Sequence, residues 1–108
     1  MAFLYIEEFS ALGDMNVLTA PFRRANGEVP QIPEVATQQI AIAVGSTPSA
    51  AFNAATVLVR LHSDAVCSIA FGTAPTAVAT SFRMAANQTE YFAVPLNGGY
   101  KVATITNT

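Results

Sequence analysis

Three consecutive residues, His62, Ser63 and Asp64, are of the types that form the catalytic triad of serine hydrolases. The side chains of a triad must converge on one point, whereas neighbours in an extended chain point to opposite sides. The G-x-S-x-G sequence that exposes a nucleophilic serine on a sharp turn does not occur in the chain. We therefore interpret the three residues as a polar turn at the tip of a hairpin.

The chain has one cysteine and one histidine. A single cysteine excludes an intramolecular disulfide framework and a cysteine-based zinc cluster. Cys67 stands between Val66 and Ser68 in a strand-like run, which favours a small buried side chain over a nucleophile. A lone unpaired thiol is typical of a reducing compartment.

The acidic residues have no catalytic or metal-binding spacing. Glu7 and Glu8 are neighbours in a predicted strand, so their carboxylates face opposite ways and form a poor acid–base pair. Asp14, Glu28 and Glu34 are not spaced as ligands of a cation. We predict that the protein is not an enzyme, and that it has no catalytic residues, no cofactor, no metal site and no small-molecule substrate.

The amino-acid composition narrows the possible classes of function further. Among 108 residues, 52% are hydrophobic and 11% are charged, where roughly 25% charged is ordinary. A net charge of −2 with five dispersed cations argues against a nucleic-acid partner. No run approaches the roughly 20 apolar residues of a membrane span, and the first residues lack the basic start of a signal peptide. So little charge indicates that part of the surface is hidden against copies or partners.

Residues 1–35 are predicted to form an N-terminal strand followed by an extended, proline-rich arm. Pro21, Pro30 and Pro33 forbid a helix and discourage a central strand, and Asn26-Gly27 predicts a turn. The segment Phe3–Ile6 predicts a strand with two apolar faces, which fits burial on both sides or an edge covered by another chain.

From residue 36 to residue 108 the chain is predicted to be a β-sandwich domain. Short runs rich in Val, Ile, Phe and Thr alternate with Gly, Pro, Asn and Ser at intervals typical of an antiparallel sandwich or barrel. The fold class is therefore all-β, a single antiparallel sandwich. The predicted strands are 37–44, 56–62, 65–71, 81–85, 89–94 and 100–106.

Two hairpins are predicted within this domain. In the first, Val59 lies opposite Cys67 and residues 62–64 form the loop, because this register brings two apolar rows together. A second hairpin turns at 97–99 and joins the last two strands. The predicted core row is Val57, Val59, Leu61, Cys67, Ile69 and Phe71.

An internal repeat links residues 42–50 with residues 69–77. Both copies have the form I-A-[VF]-G-[ST]-x-P-[ST]-A, in which a glycine ends a strand and a proline turn follows. The repeat is typical of two equivalent corners of one sandwich, and a repeated binding loop is the alternative.

The residues most suited to an interface lie on the arm and in the terminal strands. Arg23 and Arg24, next to Phe22, are either a solvated pair or an anchor that binds a neighbouring subunit. The last two strands carry apolar groups on both faces, which predicts that one face meets another chain. The predicted partner-interface residues are Phe3, Tyr5, Leu18, Phe22, Arg23, Arg24, Tyr91 and Tyr100.

The second half of the chain resembles small virion proteins of tailed bacteriophages that decorate or cement the capsid. The resemblance rests on Val57-Leu58-Val59-Arg60, on the segments 67–77 and 83–87, on Glu90-Tyr91-Phe92-Ala93-Val94, and on the closing segment 99–105. It implies a sandwich of jelly-roll type that assembles as a small oligomer on the virion surface.

Residues, composition and resemblance together predict a structural virion protein that decorates or cements a phage capsid. Its partners would be itself, as a trimer or dimer, and the major capsid protein, and it would be made in the host cytoplasm. The alternative is a binding module of a tail fibre or spike that recognises a glycan or a receptor.

Overall fold

The computed structural model describes residues 2–10, 12–14, 17–19, 23–25, 28–30 and 33–107. All regular elements in these ranges are β-strands. Accordingly, this part of the chain contains no helix that is long and apolar enough to cross a membrane. The strands are β1 (Phe3–Phe9), β2 (Leu12–Asp14), β3 (Val17–Thr19), β4 (Arg23–Ala25), β5 (Glu28–Pro30), β6 (Ala36–Ala41), β7 (Thr47–Pro48), β8 (Leu58–Ser63), β9 (Cys67–Gly72), β10 (Phe82–Met84), β11 (Thr89–Ala93) and β12 (Lys101–Thr106).

Eight strands form two antiparallel sheets of four strands each. The first sheet has the order β11-β8-β1-β6, and the second sheet has the order β10-β9-β12-β7. The predicted all-β, sandwich-like architecture is thereby confirmed. Each of the six predicted strands after residue 36 overlaps an observed strand, because β-branched and aromatic runs bounded by turn residues mark strands well in a half-buried sheet.

Both predicted hairpins are wrong in their pairing. β8 belongs to the first sheet and β9 to the second, and β11 and β12 are divided in the same way. The tight turn expected at 97–99 is present, with positive φ angles at Asn97 (53°) and Gly99 (68°). A short connection can join two strands side by side or lead the chain across to the facing sheet, and an apolar row faces the core in either case.

The core lies between the two sheets and contains most of the predicted row. Val59 and Leu61 from the first sheet are fully buried, as are Cys67 and Ile69 from the second sheet. Phe71 is partly buried and packs against the same cluster. The face assignments of the predicted row are therefore confirmed for these residues, although the two halves meet across the core rather than in one sheet.

β1 is a central strand of the first sheet. It pairs with β6 on one side and with β8 on the other. Its residues Leu4 and Ile6 point into the core and are fully buried, while Tyr5 between them is exposed. The strand thus belongs to the sandwich, although it precedes the predicted domain boundary at residue 36.

Between β1 and β6 the chain forms two short antiparallel pairs. β2 pairs with β5 and β3 pairs with β4, and both pairs follow the same register. We call these two pairs the ribbon, and the second pair contains Arg23 and Arg24. Asn26 and Gly27, the predicted turn, lie outside the described residues, and the proline-rich arm stays a prediction.

The two copies of the repeat are not equivalent corners. The first copy leads from β6 across to β7, whereas the second begins inside β9 and continues into the loop 73–81. The copies nevertheless touch, because the Ala77 N–H donates a hydrogen bond to Ser46 Oγ at 2.9 Å. The shared turn chemistry therefore serves two different connections.

Glu8 is a buried carboxylate that fixes the connection between β7 and β8. Its oxygens accept hydrogen bonds from Asn53 N–H (2.7 Å), Thr56 Oγ1 (2.9 Å) and Gln38 Nε2 (3.0 Å). Gln38 also bonds the backbone N–H (2.9 Å) and C=O (3.2 Å) of Ala50. A buried carboxylate persists only when its oxygens are hydrogen-bonded, and here neutral donors do so.

We expect Glu8→Ala to lower the free energy of unfolding by about 3 kcal/mol, because it leaves buried donors without an acceptor. Glu7→Ala is the matched control. It removes the neighbouring carboxylate, which makes a half-exposed ion pair with Arg60, and should cost at most about 1 kcal/mol. Urea unfolding measures both, and equal losses would contradict the role assigned to Glu8.

Ile69→Ala should lower the free energy of unfolding by about 2–5 kcal/mol, because it leaves a cavity between the sheets. Val44→Ala is the control, since the Val44 side chain is 87% exposed and its loss should change stability by no more than about 0.5 kcal/mol. Thermal and urea denaturation of the two variants check this prediction. A loss at Ile69 as small as that at Val44 would show that the core is wrongly assigned.

Candidate functional site

The outer face of the first sheet is the surface most suited to binding, and we call it the open face. Its residues alternate along each strand with the buried ones and lie beside each other through the strand register. Tyr5 is 38% and Tyr91 50% exposed. The open face consists of Phe3, Tyr5, Glu7, Thr37, Gln39, Arg60, His62, Thr89 and Tyr91.

The side-chain rings of Phe3, Tyr5 and His62 form a row along one half of the open face. The ring centroids of Phe3 and Tyr5 are 6.4 Å apart, and those of Tyr5 and His62 are 6.5 Å apart. The His62 ring is held in place by a hydrogen bond between Nδ1 and Thr89 Oγ1 at 2.8 Å. These side chains present a rigid, partly apolar surface that loses little conformational freedom on binding.

An ion pair occupies the next position along the sheet. Arg60 bonds Glu7 on the neighbouring strand, and Tyr91 lies opposite Arg60 on the other side. The charges of Glu7 and Arg60 offset each other, so a partner that covers this face meets no net charge from the pair. Tyrosine and arginine are the residues most often found at the energetic centres of protein interfaces.

The outer face of the second sheet is covered in part by the chain itself, although Arg83 on this face is exposed. Ser68 and Ala103 point outward from this sheet and still have no exposed surface. The loop 73–81 lies over Ser68, whose Oγ donates to the Ala79 C=O (3.2 Å), and Asn107 Nδ2 donates to Ser68 Oγ (2.7 Å) and to the same C=O (3.1 Å). One end of the first sheet's outer face is buried as well: Phe9 and Leu58, which alternation places on the same side as Glu7 and Arg60, are 2% and 8% exposed.

Of the eight predicted interface residues, the structure brings three together. Phe3, Tyr5 and Tyr91 all lie on the open face. Tyr100 does not, because it precedes β12 and packs partly buried against the core, where its C=O accepts a hydrogen bond from Phe52 N–H at 2.8 Å.

Three of the other four predicted residues, Leu18, Arg23 and Arg24, lie in the ribbon. Leu18 lies opposite Arg24 in the β3–β4 pair, and Arg23 begins β4. Phe22 lies outside the described residues. The choice between a solvated pair and an anchor for Arg23 and Arg24 stays open.

Glu7, Arg60 and His62 were not predicted as interface residues. The alternation of side chains along each strand predicts that these three residues point outward. It does not predict which strands are neighbours, so it cannot show that the three side chains lie close together. A usable signal is that Tyr5, Arg60 and Tyr91 each interrupt an apolar strand with an amphipathic side chain. Phe82, which is half exposed and stacks edge-on with Phe92 at the side of the sandwich, was missed as well.

His62, Ser63 and Asp64 do not converge. His62 lies on the open face, Ser63 is fully buried with its Oγ bonded to the Ala85 C=O (2.7 Å), and Asp64 Oδ2 accepts from the Phe3 N–H (3.3 Å). They end β8 at a crossover between sheets, so the predicted hairpin tip is corrected. Their divergence follows from strand geometry.

Cys67 is fully buried, as the sequence predicts. Burial raises the pKa of its thiol, and the nearby hydroxyls of Thr104 and Ser63 oppose part of that shift. The Thr104 hydroxyl has no hydrogen-bond partner within the described ranges. A protonated, inaccessible thiol is unreactive.

No group of three or more His, Cys, Asp or Glu side chains is placed to hold a metal ion in the ranges that the structure covers. No protein-family model, curated protein or solved structure matches the chain. The geometry of the open face therefore carries the functional argument.

The stability of the protein should fall above about pH 8.5, where a free thiol ionises. In that range the unfolded state releases the Cys67 proton while the folded state retains it, so rising pH favours unfolding. Cys67→Ala removes this contribution. The difference in unfolding free energy between the parent chain and the variant should therefore shrink with pH, by at most about 1.4 kcal/mol per unit.

Urea unfolding between about pH 7 and pH 10 measures this difference for the two proteins. All other ionisable groups are common to the two proteins, so their contributions cancel in the comparison. A difference that stays constant with pH would mean that the thiol ionises equally in both states.

Proposed function

We propose that the chain is a structural virion protein that decorates or cements a phage capsid through its open face and through contacts with its own copies. The observation that carries the proposal is the set of aromatic side chains on the open face, where Tyr5 and Tyr91 stay exposed beside the Arg60–Glu7 ion pair. A scaffold that binds a shell needs such a surface and no reactive groups.

The chemistry of the open face supports a protein partner. Tyr5 and Tyr91 are large, rigid side chains, and Arg60 between them is neutralised by Glu7. Burying an ion pair costs less desolvation free energy than burying a single charge, because each ion keeps its partner of opposite charge. We take the major capsid protein as the partner of this face.

We propose further that the sandwich is of jelly-roll type. The strand orders β6-β1-β8-β11 and β7-β12-β9-β10 correspond to the two sheets of a jelly roll in which β1 takes the place of the strand that would follow β12. In support, Ala2 C=O accepts from Ile42 N–H (3.0 Å), and Thr106 N–H donates to Ala43 C=O (2.8 Å). The start of β1 and the end of β12 therefore bind adjacent residues, Ile42 and Ala43, which brings the two strand ends close together.

Jelly rolls include viral capsid domains and lectins, and a fold alone does not select between them. The second candidate function is accordingly a glycan- or receptor-binding module of a tail fibre or spike. It is favoured by two exposed tyrosines with hydrogen-bonding neighbours on a flat sheet, since sugar rings bind to aromatic faces that are flanked by polar groups. Under the first proposal the protein acts on the capsid surface and is made in the host cytoplasm.

The proposal predicts that virions from cells that make this chain contain it on the shell. An electron-microscopy map of those particles should show density for two four-stranded sheets with the open face toward the capsid. Replacing both Tyr5 and Tyr91 by alanine should weaken capsid binding by at least about 30-fold, because such residues contribute about 2 kcal/mol or more at interface centres.

The matched control replaces two exposed apolar residues elsewhere, Val44 and Leu96, by alanine, and should retain binding. Circular dichroism verifies that both double variants fold. Absence of the chain from particles, together with glycan-array binding that the tyrosine variant loses, would overturn the proposal in favour of the binding module.

A further inference from the structure

We infer that two copies of the chain pair through strand β6, antiparallel and edge to edge, so that their first sheets join into one eight-stranded sheet. This rests on the proposed function, because it names the contact through which copies associate. The argument uses the edge of the sheet and not the open face.

Edge strands of natural proteins are protected against pairing by charges, prolines or bulges. Three of the four edges of this sandwich have such a device: β11 contains Glu90, β10 contains Arg83 and β7 contains Pro48. β6 itself contains no charge and no proline; two residues, Val35 and Ala36, lie opposite Glu8 at its start, and the rest of the strand is regular. It stands in a stretch without any charged residue, from Val35 to Val59.

The free backbone groups of β6 follow from its register with β1. In an antiparallel pair, every second residue directs its N–H and C=O groups to the neighbouring strand. The hydrogen bond from Ile42 N–H to Ala2 C=O shows that the even-numbered residues of β6 do so, and Ala36, Gln38 and Ile40 therefore bond to β1. The N–H and C=O groups of Thr37, Gln39 and Ala41 point to the open edge. Among the described residues, none makes a hydrogen bond to these groups.

A second copy fits this edge in one symmetric register. With Gln39 opposite Gln39 of the other copy, Thr37 lies opposite Ala41 on both sides of the two-fold axis. Every free N–H and C=O of the three residues then has a partner. Residues that lie opposite each other are all odd-numbered, and their side chains point to the same side of the sheet. Outward side chains of one copy therefore lie beside outward side chains of the other, and both cores lie on the same side of the joined sheet.

The self-complementarity of the edge is the reason to choose a second copy over an unrelated peptide. Two-fold dimers are the commonest assembly of identical chains, and no charge opposes another across this contact. The pairing also places two open faces side by side, which doubles the surface offered to a shell. A cement subunit that bridges neighbouring capsid proteins requires such an extended face.

The test uses two variants of the residue on the two-fold axis, Gln39→Lys and Gln39→Glu. The Gln39 side chain is exposed and outward, so neither change disturbs the core. Alone, each variant brings like charges together and should raise the dimer dissociation constant at least about tenfold. Mixed in equal amounts, the two should form a heterodimer about as tightly as the parent chain pairs with itself.

Native mass spectrometry and light scattering measure these equilibria. The controls Leu96→Lys and Leu96→Glu place the same charges on an exposed turn away from β6 and should dimerise like the parent chain. A parent chain that stays monomeric, dimers that tolerate either Gln39 variant, or a mixture that fails to pair would each overturn the inference.

The two proposals fail separately. A chain that dimerises through β6 but is absent from virions overturns the capsid function alone. A chain that occupies the capsid, with occupancy unchanged by either Gln39 variant and by their mixture, overturns the β6 pairing alone.

Discussion

The pairing of β1 on both of its sides is the constraint on which the rest of the structure depends. This strand joins β6 to β8, and its alternation divides the molecule into interior and surface. Leu4 and Ile6 complete the core, while Tyr5 and Glu7 build the open face. Glu8, on the inner side of the same strand, holds the connection before β8. Without β1, the first sheet would separate into an isolated strand and a two-stranded pair.

The two sheets manage their outer surfaces differently. In the second sheet, the small outward residue Ser68 lets the loop 73–81 approach closely and hydrogen-bond to it. In the first sheet, Tyr5 and Tyr91 point outward and stay exposed, whereas Phe9 and Leu58 on the same side are buried. The exposed part of the open face is therefore the part whose aromatic side chains are available to a partner.

The sequence identifies the strands and the inward faces better than it identifies the partners of the strands. Val59, Leu61, Cys67 and Ile69 were predicted in the core because alternation is local and depends on one strand at a time. The predicted pairing of β8 with β9 is wrong, because a three-residue connection can bring the same apolar rows together within one sheet or across two facing sheets. For the site, Phe3, Tyr5 and Tyr91 were predicted from their type, whereas Arg60 and His62 emerge only when β1, β8 and β11 are aligned. The burial of Glu8 depends on donors that are about 30 to 48 residues away in the chain, and no local pattern announces such a network.

Cys67 gives the molecule an internal reporter. Its sulfur lies between the two sheets with no exposed surface, and the chain has no other cysteine. A thiol reagent can reach it only when the sheets separate, so the rate of labelling under native conditions follows the frequency with which the sandwich opens. Assembly on a shell or with a second copy would slow the labelling of Cys67. The labelling rate therefore measures how often a single subunit opens inside a much larger particle.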